Sequence, residues 1–267
     1  NGFCSSNSIP KELEKYNELK YARQISALFK TNHNEILIDD KDSLAILDTL
    51  AWREDEPNAD PVCIPLFFLS KLTREKGTIV VQVGEGSDEQ FAGYPWIIQH
   101  YNVHKKYWNK YGALPKFLRQ AAYSVSKPIL NSTHRTLALD YIRRAANGEQ
   151  FYWSGVSIFS PSHLDMLFGK TYKSLCGIPA KYADSLHKEV LELFPKADYY
   201  QRMVYLELNQ RLAEILLMRV DKVTMSHSIE ARVPFLDHKI VEFTTSLRAD
   251  KKMPDGKTTK YILKKAA

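Results

Sequence analysis

Residues 78–94 read TIVVQVGEGSDEQFAGY. The run at 78–83 is apolar and β-branched, composition that favours a strand. It stops abruptly at Gly84, Glu85, Gly86, Ser87, Asp88 and Glu89. Open α/β sheets hold their ligands just outside the carboxyl ends of strands, where such a loop leads into a helix. Working back from it, the chain alternates. Leu19, Ala22, Ile25, Leu28 and Phe29 fall at helical spacing and predict an amphipathic helix that packs on another element. NEILI at 34–38 predicts a short strand, and 42–50 a helix with Asp42 or Ser43 as its cap. WREDEPNADP at 52–61 is acidic, carries two prolines and predicts a loop. A helix over 64–73 is then closed by Gly77 ahead of the strand. This order predicts an α/β unit with a parallel sheet over residues 1–93.

Past Gly93 no comparable apolar β run follows, and residues 94–267 read as a mostly helical second part. HYNVHKKYWNKY at 100–111 interleaves bases with aromatics, a pattern that can stack single-stranded nucleic acid. Tyr101, Trp108 and Tyr111 share one helix face, however, so packing is the favoured reading, as it is for Phe151, Tyr152, Trp153, Tyr199 and Tyr200. In 219–243 the charges Asp221, Lys222, Glu230, Arg232 and Asp237 sit within a dense apolar run. Burying them alone would cost several kcal/mol, about as much as a lost ion pair, so they are expected to be paired or to wall a polar cavity.

The 267 residues are ample for a buried core, and 44% hydrophobic with 25% charged residues are ordinary globular values. The net charge of +6 is dispersed and fits an anionic substrate as well as a solvated surface. Cys4, Cys63 and Cys176 have neither metal nor disulfide spacing, which predicts reduced, inert thiols and a cytoplasmic setting. No apolar run is long enough to span a membrane.

By itself the GEGSDE loop allows several chemistries. Its glycines let backbone N–H groups approach a ligand, one carboxylate can hold Mg²⁺ beside phosphates, and a second can act as a general base. The bland alternative is an acidic turn in which Ser87 or Asp88 caps the next helix.

Three stretches in order resemble the synthetase domain of the glutamine-dependent asparagine synthetases. Residues 83–94 are similar to the signature S-G-E/D-G-x-D-E-x-F-x-G-Y. Residues 55–60, DEPNAD, with Ile64, Pro65, Leu69 and Ser70 beyond, look like the D-E-P-x-A-D…P…L-S segment. Residues 219–237 resemble R-x-D-x-x-x-M…E-x-R-x-P-F-L-D. The resemblance covers essentially the whole chain. It implies a parallel sheet of the adenine-nucleotide hydrolase-like, pyrophosphate-loop ATPase type followed by a helical region that walls the substrate pocket. It also implies ATP-dependent amidation of aspartate through a β-aspartyl-AMP, with AMP and pyrophosphate released.

In that scheme Asp88 ligates Mg²⁺ and Glu85 assists proton removal from the attacking ammonia. Val83, Gly84 and Gly86 lie against ATP, and Glu89, Glu56 and Asp60 are further candidates for the aspartate or metal side. Arg219, Asp221, Glu230 and Arg232 are expected to form a structural network. The implied partners are aspartate, ATP, ammonia and a glutaminase domain of the same polypeptide, with a homodimer admitted and neither membrane nor nucleic acid.

There are departures. Val83 stands where the signature has serine. The family's S-G-G-x-D-S loop is expected before Asn1, and its catalytic lysine after the segment at 260–264. Cys4 is not the glutaminase nucleophile. The chain is therefore expected to be a piece of a synthetase that does not make asparagine alone. The alternatives are an amidotransferase acting on another carboxylate, such as a sugar acid, a β-lactam-forming relative, and a non-catalytic module of the same fold.

Overall fold

The computed structural model describes residues 19–58, 60–132, 136–155, 159, 163–164, 167–168 and 170–267. Cys4 and Ala59 lie outside them. The chain forms two compact units, Asn1–Val83 with Ile215–Pro234, and Gly84–Glu214 with Phe235–Ala267.

In the first unit, helices α1 (Leu19–Phe29), α2 (Asp40–Ala45), α3 (Leu47–Glu54) and α4 (Cys63–Glu75) precede strand β1 (Val80–Gln82). The chain later returns with a helix over Met218–Met225 and strand β2 (Glu230–Arg232). The strands pair in parallel, Val80 opposite Glu230, Val81 opposite Ala231 and Gln82 opposite Arg232. A parallel sheet is as expected, but it does not lie within residues 1–93: its second strand is EAR at 230–232, too short and polar to stand out in a sequence. It is a strand because its backbone meets β1: Glu230 N–H donates to Ile79 O at 2.8 Å, and Val83 N–H to Arg232 O at 2.9 Å.

Two local readings are corrected. Residues 34–38 form no strand and no other regular element; no ladder partner for them is found among the described residues, and Glu35 ion-pairs Arg23 at 2.6 Å. The cap of α2 is Asp39, with Asp42 as its reciprocal partner three residues on: Asp42 N–H donates to Asp39 Oδ1 at 2.8 Å and Asp39 N–H to Asp42 Oδ2 at 3.1 Å. The helix then breaks at Ile46 before α3. On α1 the predicted apolar face buries Leu19 but leaves Ile25, Leu28 and Phe29 exposed. The core of this unit is Ile46, Leu50, Cys63 and Val223, with Phe67 and Phe68 against it. Burial pushes the Cys63 thiol up to about 12, which keeps it protonated and inert as expected.

The second unit is helical: α5 (Ser87–Gln90), α6 (Pro95–Val103), a π-type stretch His104–Trp108 running into α7 (Asn109–Gly112), α8 (Lys116–Ser132) paired with α9 (Thr136–Asn147), and further helices including Ile178–Leu193, Tyr199–Glu207 and His238–Ser246. Ala92, Ile97, Ile98, Tyr152, Tyr200, Met203 and Leu206 form its core. Phe151, Tyr152, Trp153 and Tyr200 are all buried, so these rings pack and do not face solvent as a stacking platform. No described helix is long and apolar enough to cross a membrane.

One core residue is out of character. Lys252 is fully buried, its Nζ has no hydrogen-bond partner among the described residues, and it lies 5.2 Å from the Tyr200 ring centre. Burial pulls its ammonium down to about 7 from 10.5. Between those values the unfolded chain binds a proton that the folded chain does not, so wild-type stability rises with pH across that window. Lys252→Met removes the penalty. It is expected to stabilise the protein by about 2–4 kcal/mol near neutral pH or below, with the gain shrinking as pH climbs toward the unfolded lysine value. Urea midpoints of both proteins at a neutral and an alkaline pH check this; a gain that grows with pH would contradict it.

Candidate functional site

The loop after β1 is built from backbone constraints. At Gly84, an added Cβ would meet nothing within 4 Å, so this point of the chain is open to close approach. Gly86 has φ +87° and ψ −14° and caps α5 without a side chain. An added Cβ there would stand 2.3 Å from Leu236 Cδ2. Position 86 therefore needs glycine for two reasons, a left-handed backbone and an absent side chain. Gly86→Ala is expected to cost about 1–3 kcal/mol and to shift residues 85–88. Thermal unfolding together with amide chemical shifts of the loop reads both effects.

The short helix α5 is held by Gln90, which donates from Nε2 to Gly86 O at 2.9 Å and to Phe235 O at 2.7 Å, and accepts from Thr244 Oγ1 at 2.5 Å. Neither Ser87 nor Asp88 caps the helix, so the capping alternative is not what occupies their side chains. Lys260 Nζ donates to Asp88 Oδ2 at 3.0 Å and to Ser87 Oγ at 3.2 Å. Glu85 and Asp88 are half-buried. Glu89, one turn position away, is interior: Tyr94 OH donates to its Oε1 at 2.8 Å, and Arg211 Nη1 is 3.6 Å from the same oxygen. Burial raises its carboxyl above the usual carboxylate range. The second unit thus carries Glu85, Gly86, Asp88 and Glu89 on one turn, with Asp88 outward and Glu89 inward.

Glu56 and Asp60 belong to the first unit. Glu56 is exposed, 4.0 Å from Lys222 Nζ. Asp60 ion-pairs Arg219, and its Oδ1 accepts from Val62 N–H at 3.0 Å at the start of α4. Lys222 Nζ donates to Glu54 O. These contacts bear out pairing for the charges at 219 and 222. Glu230 and Arg232 differ: they pair with each other at 2.9 Å but are exposed on the β2 face, where no desolvation has to be offset. Asp237 caps its helix, its Oδ1 accepting from Lys239 N–H at 2.9 Å.

The resemblance implies Mg²⁺. Among the described residues no three His, Cys, Asp or Glu side chains group as a metal site. A half-exposed carboxylate fits a cation of this kind nevertheless, because Mg²⁺ takes oxygen ligands and is held mainly by one or two carboxylates, water and phosphates. Asp88, like Glu85, is a loop residue with that chemistry. The partner that motif reading missed is Lys260: it is 172 positions from Asp88, and only folding brings the two together.

The first unit carries a parallel strand pair, and the glycine–acid loop that follows β1 in the chain carries one carboxylate beside one ammonium, which makes this a mostly helical α/β protein. The sequence matches the Asparagine synthase family over residues 2–267, and the chain belongs to that family. It is 29% identical, over 96% of its own length and 37% of the relative's, to a Mycobacterium tuberculosis protein provisionally named a glutamine-hydrolyzing asparagine synthetase. It is 26% identical, over 97% of its length and 39% of the relative's, to the Bacillus subtilis protein named asparagine synthetase (glutamine-hydrolyzing) 1. A chicken protein named asparagine synthetase (glutamine-hydrolyzing) is 36% identical over 63 residues, 22% of this chain and 11% of that protein. The chain thus spans less than two fifths of the length of the bacterial relatives it matches.

Proposed function

We propose that this chain is the synthetase part of an ATP-dependent ligase that converts aspartate to asparagine. ATP adenylates the β-carboxylate, pyrophosphate leaves, and ammonia from glutamine hydrolysis in a glutaminase domain displaces AMP. The observation that carries this is the family match together with the loop after β1, in which Gly84 is open to approach and Asp88 is half-exposed.

In this reading the β1–β2 pair belongs to a sheet of the adenine-nucleotide hydrolase-like type. Residues 1–93 supply the nucleotide side and 94–267 wall the amino-acid pocket. Backbone at Val83, Gly84 and Gly86 lies along ATP, where N–H groups near a turn suit phosphate oxygens. Asp88 would hold Mg²⁺, which when bound would neutralise charge on the leaving pyrophosphate. Glu85 takes a proton from ammonia as it attacks the acyl carbon, a role that needs a carboxylate on the same turn as the metal ligand. Glu89 acts through burial, keeping the turn's inner face on Tyr94 and Arg211.

The test is pyrophosphate release by the intact protein with Mg·ATP, ammonia and a panel of carboxylic acids. Release that depends on aspartate supports the assignment. Release only with a sugar acid would move it to another amidotransferase, and absence of Mg·ATP binding would make it a non-catalytic module.

A further inference from the structure

The contact between Lys260 and Asp88 is assembled from three separate constraints. Lys260 has a left-handed backbone, φ 51° and ψ 34°, which an L-residue adopts only when its surroundings impose it. Its backbone N–H donates to Phe91 O at 3.1 Å, while its Nζ reaches Asp88 and Ser87, so the residue is tied at both ends to one turn. Gly93 completes the arrangement. A Cβ at position 93 would stand 1.8 Å from Asp88 Oδ1 and 2.6 Å from Lys260 Cε, so the glycine vacates the space in which carboxylate and lysine stem meet. The pair is about one third exposed on both sides, and ion pairs of that exposure add little stability. Stability does not account for a strained lysine brought onto this carboxylate.

The electrostatic consequence concerns what Asp88 can bind. An ammonium 3.0 Å from Oδ2 neutralises the carboxylate and repels a bare divalent cation. A single and a double charge roughly 5 Å apart in a water-like dielectric repel enough to weaken binding about fivefold to tenfold at moderate salt. A divalent cation that arrives with a polyphosphate reverses the balance. The phosphate oxygens carry more charge than the metal, and the ammonium displaced from Oδ2 finds acceptors among them.

We propose that Lys260 is a positioning residue that makes Asp88 selective for a divalent cation accompanied by a polyphosphate over the bare cation. The proposal rests on the reading of Asp88 as the metal carboxylate.

The experiment measures free Mn²⁺ by electron paramagnetic resonance in the intact protein, with and without pyrophosphate, for wild type, Lys260→Met, Lys260→Gln, Lys260→Arg and Asp88→Asn. Lys260→Met and Lys260→Gln are expected to bind bare Mn²⁺ about fivefold tighter and Mn·pyrophosphate about fivefold weaker. Lys260→Arg keeps the wild-type order, because the charge is retained. Lys260→Gln keeps a hydrogen-bond donor on a shorter stem and guards against a folding defect in the methionine variant. Both constants moving in the same direction, or neither moving, overturns the proposal. Asp88→Asn separates the two levels: if it leaves Mn·pyrophosphate binding intact, the assignment of Asp88 fails; if it abolishes binding while the lysine variants behave as wild type, only the role of Lys260 fails.

Discussion

Glu207→Ala is expected to cost about 3–5 kcal/mol of folding stability. Glu207 is fully buried, and its Oε1 accepts three hydrogen bonds: from Tyr152 OH at 2.5 Å, Ser154 Oγ at 2.7 Å and Gly155 N–H at 2.8 Å. Arg211 Nη1 lies 3.9 Å from Oε2. Alanine would leave the buried Tyr152 and Ser154 hydroxyls, the N–H of the exposed Gly155 and part of a guanidinium without their acceptor, and each orphaned buried donor costs about 1–3 kcal/mol before any relaxation. Water entering the vacated volume recovers some of that, which sets the total below the simple sum. Glu207→Gln retains an acceptor oxygen and the volume, so it should lose distinctly less. Urea unfolding of the three proteins measures the difference. A loss under about 1 kcal/mol for the alanine variant would mean that the donors find other acceptors in the core.

The second large effect is kinetic. Under the proposed reaction, Glu85→Gln should slow amide formation by about 10²–10⁴-fold while leaving aspartate-dependent exchange of pyrophosphate into ATP largely intact. Adenylation needs charge neutralisation at the phosphates, which the proposal assigns to Asp88 and its cation. The second half-reaction needs a base for ammonia, which glutamine at position 85 cannot be. Isotope exchange and asparagine formation, measured on the same preparation of the intact protein, separate the halves. Equal loss of both would place Glu85 on the nucleotide or metal side and remove it from the ammonia step. Gly86→Ala disturbs the same loop by displacing its backbone, and is expected to reduce both half-reactions together.

Legibility in the sequence followed local chemistry. α1 and α4 have enough turns and apolar spacing to be read directly, as has the strand entering Gly84. Strand β2 was not legible, since three residues of EAR carry no period and become a strand only opposite β1. The NEILI segment erred the other way: its apolar residues suggest a strand, but a strand exists only with a ladder partner. Within the loop, the sequence pointed to Glu85, Asp88 and Glu89 as one acidic group. Folding divides them, with Asp88 toward solvent and Lys260 and Glu89 into the core against Tyr94 and Arg211.

Sequence alone was sufficient for a mostly helical α/β chain, the glycine–acid loop at a strand end and the family, while the strand–helix alternation it suggested fails at 34–38. Each of these depends on residue types at short spacing, where backbone sterics and propensity act locally. Only the tertiary structure decided which carboxylate meets which cation. Asp60 found Arg219 and Asp88 found Lys260 across 159 and 172 positions, pairings that no local spacing encodes. The absent side chain of Gly93 is the clearest case: in the sequence it is one more glycine in a turn, and in the fold it is the space that lets a lysine reach the loop.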